Sequence, residues 1–279
     1  MRIGIFAKTF PGSSPRTVLS AAAAAGYQSV QYNMACSGLN SLPEDISDNI
    51  ADAVLGASRE TGVGIAAISA TYNMIHPSLQ IREAGRRGFE AIASQAARMG
   101  CRLLTVCTGS CDPDDQWRYH PDNESMLAWS EMVKEFRHLI DIAERFDVRI
   151  GVEPELANVI NSAQKARHLL DTIGSDRVRI VFDPANLFER EAADDRRRII
   201  ETAISLLGDR IEIAHAKDRN PDGSFATAGK GVIDFAHYLS CLQQAAFAGD
   251  VITHGLVAAE AAEVARLLRL ALCAREEPT

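Results

Sequence analysis

The stretch Arg149-Ile150-Gly151-Val152-Glu153-Pro154-Glu155 is a short β-branched run that ends in carboxylates around a proline. The same pattern returns at Arg179-Ile180-Val181-Phe182-Asp183-Pro184-Ala185-Asn186, after a helical stretch that stops at Gly174. A strand, a helix and a second strand of the same kind form a βα unit of a parallel sheet. Working outward in both directions, eight such runs can be placed: Ile3 to Ala7, Ser29 to Asn33, Gly64 to Ala70, Arg102 to Cys107, Arg149 to Glu153, Arg179 to Asp183, Glu212 to Ala216, and Val251 to Thr253. Each is followed by a helical candidate rich in Ala, Leu, Arg and Glu, with Gly26, Gly62, Gly100 and Gly174 as stops.

Eight βα units close into a (β/α)8 barrel or open into a doubly wound sheet. The open sheet normally carries a Gly-rich phosphate loop after its first strand, and Ala7-Lys8-Thr9-Phe10-Pro11-Gly12 has none. The reading is therefore an α/β fold, a single-domain (β/α)8 TIM barrel over residues 1–279, a length that suits one barrel. The segment Asp122 to Asp147 is expected to be the longest helix, capped by Asp122 or Asn123. Met126, Trp129, Val133, Phe136, Ile140 and Ala143 would form its core stripe. Two loops exceed what a bare barrel needs, Cys36 to Glu44 and Thr108 to Pro121, and long loops after strands belong to the catalytic face.

A content of 47% hydrophobic and 24% charged residues is that of an ordinary soluble globular protein with a large core. The net charge of −8 opposes binding to nucleic acid. Six scattered cysteines, with Cys107 and Cys111 as one close pair and no second, read as reduced structural thiols and place the protein in the cytoplasm. Met1 to Phe6 runs directly into a strand with no signal-peptide pattern, and no apolar run approaches the roughly 20 residues of a membrane span.

The chemistry gathers at the last four strand ends. In a parallel barrel these ends share one face, so Glu153, Asp183, His215 and His254 would meet although 30, 32 and 39 residues separate them along the chain. Two carboxylates with two imidazoles suit one divalent ion, manganese first, with zinc, cobalt, iron(II) or magnesium as alternatives. Strand parity puts Lys217 on the same face as His215, either to stabilise a substrate oxygen or to pair with Asp218 or Glu155. Asn158 and Asn186 lie close to the proposed ligands in sequence and offer amides to sugar hydroxyls. Asn73 and His76 after the third strand, with Trp117 and His120 after the fourth, would complete the substrate wall. Gly229-Lys230-Gly231 reads as a turn more readily than as a phosphate loop.

Gly151-Val152-Glu153-Pro154, Phe182-Asp183-Pro184-Ala185-Asn186, His215-Ala216-Lys217-Asp218 and Gly229-Lys230-Gly231-Val232-Ile233-Asp234-Phe235 occur in this order and spacing across nearly the whole chain. The chain thereby resembles the sugar phosphate isomerase/epimerase family with the xylose-isomerase-like TIM barrel. The resemblance implies a metal held by Glu, Asp, His and a final carboxylate, and carries the first three onto Glu153, Asp183 and His215. At the strand-eight position this chain has His254 where the family usually has Glu, which weakens a two-glutamate epimerisation. The activity implied is metal-assisted proton abstraction next to a carbonyl of a small sugar or polyol, with Glu153 as base, His254 as ligand or second base, and Lys217 assisting. A related dehydratase and a non-catalytic metabolite-binding barrel are alternatives. An apurinic endonuclease is disfavoured, because Asp183-Pro184-Ala185-Asn186 replaces its Asp-x-x-His and the charge is negative. Homo-oligomers are common in the family.

Overall fold

In the computed structural model, which describes residues 1–273, the barrel closes. The strands β1 (Arg2–Phe6), β2 (Ser29–Tyr32), β3 (Gly64–Ser69), β4 (Leu103–Val106), β5 (Arg149–Val152), β6 (Val178–Phe182), β7 (Ile211–Ala216) and β8 (Asp250–Thr253) run parallel. β1 pairs with both β2 and β8, so the barrel sheet has no free edge. Eight helices wrap it: α1 (Pro15–Ala24), α2 (Asp48–Thr61), α3 (Leu79–Ala96), α4 (Met126–Arg145), α5 (Ala163–Ile173), α6 (Ala193–Leu207), α7 (Phe235–Gln244) and α8 (Ala261–Cys273). Strands covered on both faces are predominantly apolar, as in β6, where Val178, Ile180, Val181 and Phe182 are buried around the half-buried Arg179, and β8 is wholly buried. Among the described residues, no helix is long and apolar enough to cross a membrane.

Register fixes where the strand ends lie. Phe182 pairs with Ala214 and Ile252 with His215, so Asp183 comes level with His215, and His254 sits one pleat beyond, beside Lys217.

The helix expected over Asp122 to Asp147 is corrected at its start. Pro121–Glu124 forms a separate 3-10 turn, and Ser125 caps α4 by accepting from Ala128 N at 3.1 Å. Asn123 is spent elsewhere, because its buried amide accepts from Cys111 N at 2.7 Å and donates to Ala157 O at 2.8 Å. Met126, expected in the core stripe, is 90% exposed, whereas Val133, Phe136 and Ala143 are buried as expected.

After β7 the chain makes an antiparallel hairpin that the sequence did not suggest, Asp218–Arg219 against Phe225–Ala226. The loop behind it is organised by Asp218, which is fully buried and accepts from Arg219 N, Gly229 N, Gly231 N and Ile233 N at 2.8–3.0 Å. Gly231 is required by close approach, since a Cβ there would lie 2.1 Å from Arg219 O. The amides of Gly229 and Gly231 thus serve Asp218, and Lys230 pairs with Glu260 at 2.6 Å, as a structural turn requires. Asp218→Ala would leave these N–H groups without their acceptor. We expect the substitution to cost about 2–4 kcal/mol, read as a lower urea midpoint at unchanged slope.

Candidate metal centre

Glu153, Asp183, His215 and His254 each present one ligand atom, and these atoms lie within 4.8 Å of one another. Local structure aims each of them. Asp183 opens a 3-10 turn, Pro184–Asn186, and its Oδ1 accepts from Ala185 N at 2.9 Å. That leaves Oδ2 facing Lys217 Nζ at 3.2 Å, His254 Nε2 at 3.2 Å and His215 Nδ1 at 3.8 Å. The same turn brings Asn186 back over the site, where its amide donates to Glu153 Oε1 at 2.9 Å and accepts from Lys217 Nζ at 2.9 Å. Lys217 therefore pairs with Asp183, not with Asp218 or Glu155.

His215 is oriented from across the barrel. Its Nε2 meets Gln31 Oε1 at 2.9 Å, while the Gln31 amide nitrogen donates to Ser69 Oγ at 3.2 Å and Thr105 Oγ1 at 3.1 Å. With the Gln31 nitrogen donating to both hydroxyls, its oxygen faces the imidazole and accepts from Nε2–H of His215. The Nδ1 lone pair of the neutral ring then points at the carboxylates. This atom is buried without an aligned hydrogen-bond partner, although Glu153 Oε1 is 3.3 Å away. An orphaned imidazole nitrogen among two carboxylates and a second imidazole fits a divalent cation.

The electrostatics agree with that fit. Burial alone would lower the pKa of His215, but the negative charges of Glu153 and Asp183 outweigh it and lift the value to about 9. In the metal-free protein a proton therefore occupies the place of a metal charge. Burial and the His215 charge together hold His254 below the usual histidine range. Burial opposes the ionised form of Glu153 and Asp183, yet the neighbouring cations keep both below the ordinary carboxylate range. Burial likewise opposes the charge on Lys217, and Asp183, Glu153 and Glu155 overcome it. Glu155, more isolated, is pushed up by burial to about 7.

The centre opens into a cavity of about 510 Å³ lined on its far side by Gln31, Asn33, Ser69, Thr71 and Thr105, and at its mouth by Trp117, Glu155 and Phe225. Of the residues singled out for the substrate wall, Trp117 lines this cavity and Asn186 braces two of its groups. The others hold the loop that carries Trp117. Asn73 donates to Ser110 O at 2.8 Å and Asn158 accepts from Gly109 N at 2.7 Å. His76 contacts Pro113 O at 3.0 Å, and His120 accepts from Asp122 N at 3.2 Å. Gln31, Ser69 and Thr105 escaped the sequence reading, because a polar residue inside a short strand carries no local mark of pointing into a barrel.

The model of the xylose isomerase-like TIM barrel family matches residues 19–269. The chain belongs to that family. Among solved structures, the barrel is similar to 3-keto-D-glucoside 4-epimerase from E. coli, with TM-score 0.77 and 17% identity, covering 96% of this chain and 99% of that one. It is also similar to D-psicose 3-epimerase from Clostridium cellulolyticum, with TM-score 0.76 and 15% identity over 98% and 99% of the two chains. The zinc-binding IOLI protein superposes with TM-score 0.75 and 18% identity over the whole of both chains. At these identities the structural likeness establishes a shared fold. No curated protein sequence matches the chain.

Two outcomes follow from the site. Gln31→Leu should weaken binding of manganese or zinc by about 10–100-fold, measured by calorimetry, because the His215 tautomer is no longer fixed. For the metal-free protein, the folded pKa of His215 near 9 lies above its unfolded value of about 6.5. Its contribution to stability is therefore complete below about pH 6.5 and is lost as pH rises through about 9. The melting temperature of the metal-free protein should fall across that window, and saturating manganese should remove the fall.

Proposed function

We propose that this protein is a metal-dependent isomerase or epimerase that moves a proton at the carbon next to the carbonyl of a small sugar or polyol derivative. The observation that carries this reading is the orphaned Nδ1 of His215 inside a four-donor cluster at the floor of a polar cavity. Two of the structural neighbours, a keto-glucoside epimerase and a psicose epimerase, support the same substrate chemistry.

Glu153, Asp183, His215 and His254 would hold one divalent ion, manganese first. When bound, such an ion polarises a carbonyl or hydroxyl oxygen of the substrate. Glu153 is the base: its Oε1 accepts from the Asn186 amide, while its Oε2 accepts only a long bond, 3.9 Å, from the Cys107 thiol, a weak donor that a substrate proton can displace. Lys217, held cationic at the cavity wall, stabilises the negative oxygen that develops as the proton leaves carbon. His254, neutral at neutral pH, completes the ligand set or returns the proton. Trp117 forms part of the substrate wall, and Asn73, His76, His120 and Asn158 position its loop.

The test is solvent-deuterium exchange into ketoses by the manganese-loaded protein, followed by NMR. The parent should label the carbon next to the carbonyl, and Glu153→Gln should slow labelling by about 100-fold or more while retaining sugar binding. Binding of ketoses without any exchange in the parent would overturn the enzyme reading in favour of a metabolite-binding barrel.

A further inference from the structure

The cavity over the metal centre does not end at its mouth. A second cavity of about 550 Å³ adjoins it, and Trp117, Glu155 and Phe225 are walls of both. Each volume falls within the range of about 300–1,000 Å³ usual for small-molecule sites. The outer cavity adds Tyr119, Phe188 and Glu189 to the shared residues.

Three of these aromatic side chains remain in water. Trp117 and Tyr119 are each 50% exposed and Phe225 is 49% exposed, grouped around one opening. Neither Trp117 nor Tyr119 is stacked on a ring or beneath a cation among the described residues, whereas Phe225 packs against Lys217 and Arg219 at 4.0 and 4.3 Å. Exposed apolar surface grouped beside a polar centre marks a binding face. The C–H faces of a pyranose or furanose ring pack on such aromatic faces, and its hydroxyls donate to carboxylates.

Charge selects among possible occupants. The outer cavity holds the carboxylates of Glu189 and Glu191 and the carboxyl of Glu155, which burial keeps partly protonated near neutral pH, and its cation is Arg219. That guanidinium is already bonded to Ala185 O and Gly223 O. A phosphate or carboxylate arriving there would meet like charge, whereas a neutral polyhydroxyl ring would meet acceptors and apolar faces.

From this we infer that the substrate is a neutral two-ring glycoside, with the reacting keto sugar in the inner cavity and a second sugar ring on Trp117 and Tyr119 in the outer one. This rests on the sugar-isomerase reading for the inner ring, and binding is tested separately from chemistry. Trp129→Phe leaves Trp117 as the sole tryptophan of two, so its emission reports occupancy of the outer cavity. The manganese-loaded variant is titrated with D-fructose, D-fructose 6-phosphate, and the keto-disaccharides isomaltulose, turanose and lactulose.

At least one disaccharide should bind about ten-fold more tightly than fructose, as expected for one stacked ring, and should shift the Trp117 emission. Adding Tyr119→Ala should remove most of that preference, and fructose 6-phosphate should bind no better than fructose. The inference is overturned if fructose or its phosphate binds as tightly as every disaccharide, if none of the sugars binds, or if Tyr119→Ala leaves the preference intact. Deuterium exchange with fructose in the absence of a disaccharide preference removes the second subsite and leaves the chemistry standing. A disaccharide preference without exchange on any ketose removes the chemistry and leaves the two-ring site standing.

Discussion

The site depends on two carboxylates, the half-buried Glu153 and the buried Asp183, that must both stay ionised a few ångströms apart. Burying one unpaired charge is costly, and burying two like charges together is costlier still. Lys217 and His215 answer this directly, one 3.2 Å from Asp183 and the other 3.3 Å from Glu153. Glu153 and Asp183 lift His215 to about 9, and the proton held there is the same compensation by other means. A divalent ion held there would replace that proton with a larger charge at the same point, so metal affinity and histidine protonation would be two faces of one electrostatic requirement.

Around this charge cluster the protein spends its polar side chains on direction. Gln31, itself fixed by Ser69 and Thr105, sets the tautomer of His215 from the opposite wall. Asn186 bridges Glu153 and Lys217 so that neither can turn away. Further out, Asn73, Asn158 and His76 bind the backbone of the strand-four loop, and Asp218 binds that of the loop after the hairpin. These buried amides and carboxylates are satisfied by backbone groups of long loops, which is how an irregular segment keeps a fixed shape over an open cavity.

Much of the barrel was legible in the sequence. Apolar runs of strand length, separated by helical stretches with glycine stops, give the βα count, and a parallel barrel puts all strand ends on one face. Glu153, Asp183 and His215 stood out because each closes such a run. Helix starts were less legible: Asp122 and Asn123 are good cap residues by type, yet Asn123 is drawn into the loop brace and Ser125 caps α4 instead. Met126 follows the helical period but lies beyond the edge of the core, because period records a face and not how far the neighbouring layer extends.

By itself the sequence determined the order of elements, the closed parallel architecture and the four strand-end residues whose donor atoms gather in one cluster, since each is a local pattern along one strand or helix. Tertiary structure alone decided which polar residue faces which. Gln31 and His215 are 184 positions apart, and nothing near either residue records the other. It also decided that Trp117 would reach the cavity while His76 and Asn158 hold its loop, and that a hairpin after β7 would bring Phe225 to the same mouth. The physical reason is barrel closure: it brings together strand ends and loops that are remote along the chain, and only there do their hydrogen bonds and charges find partners.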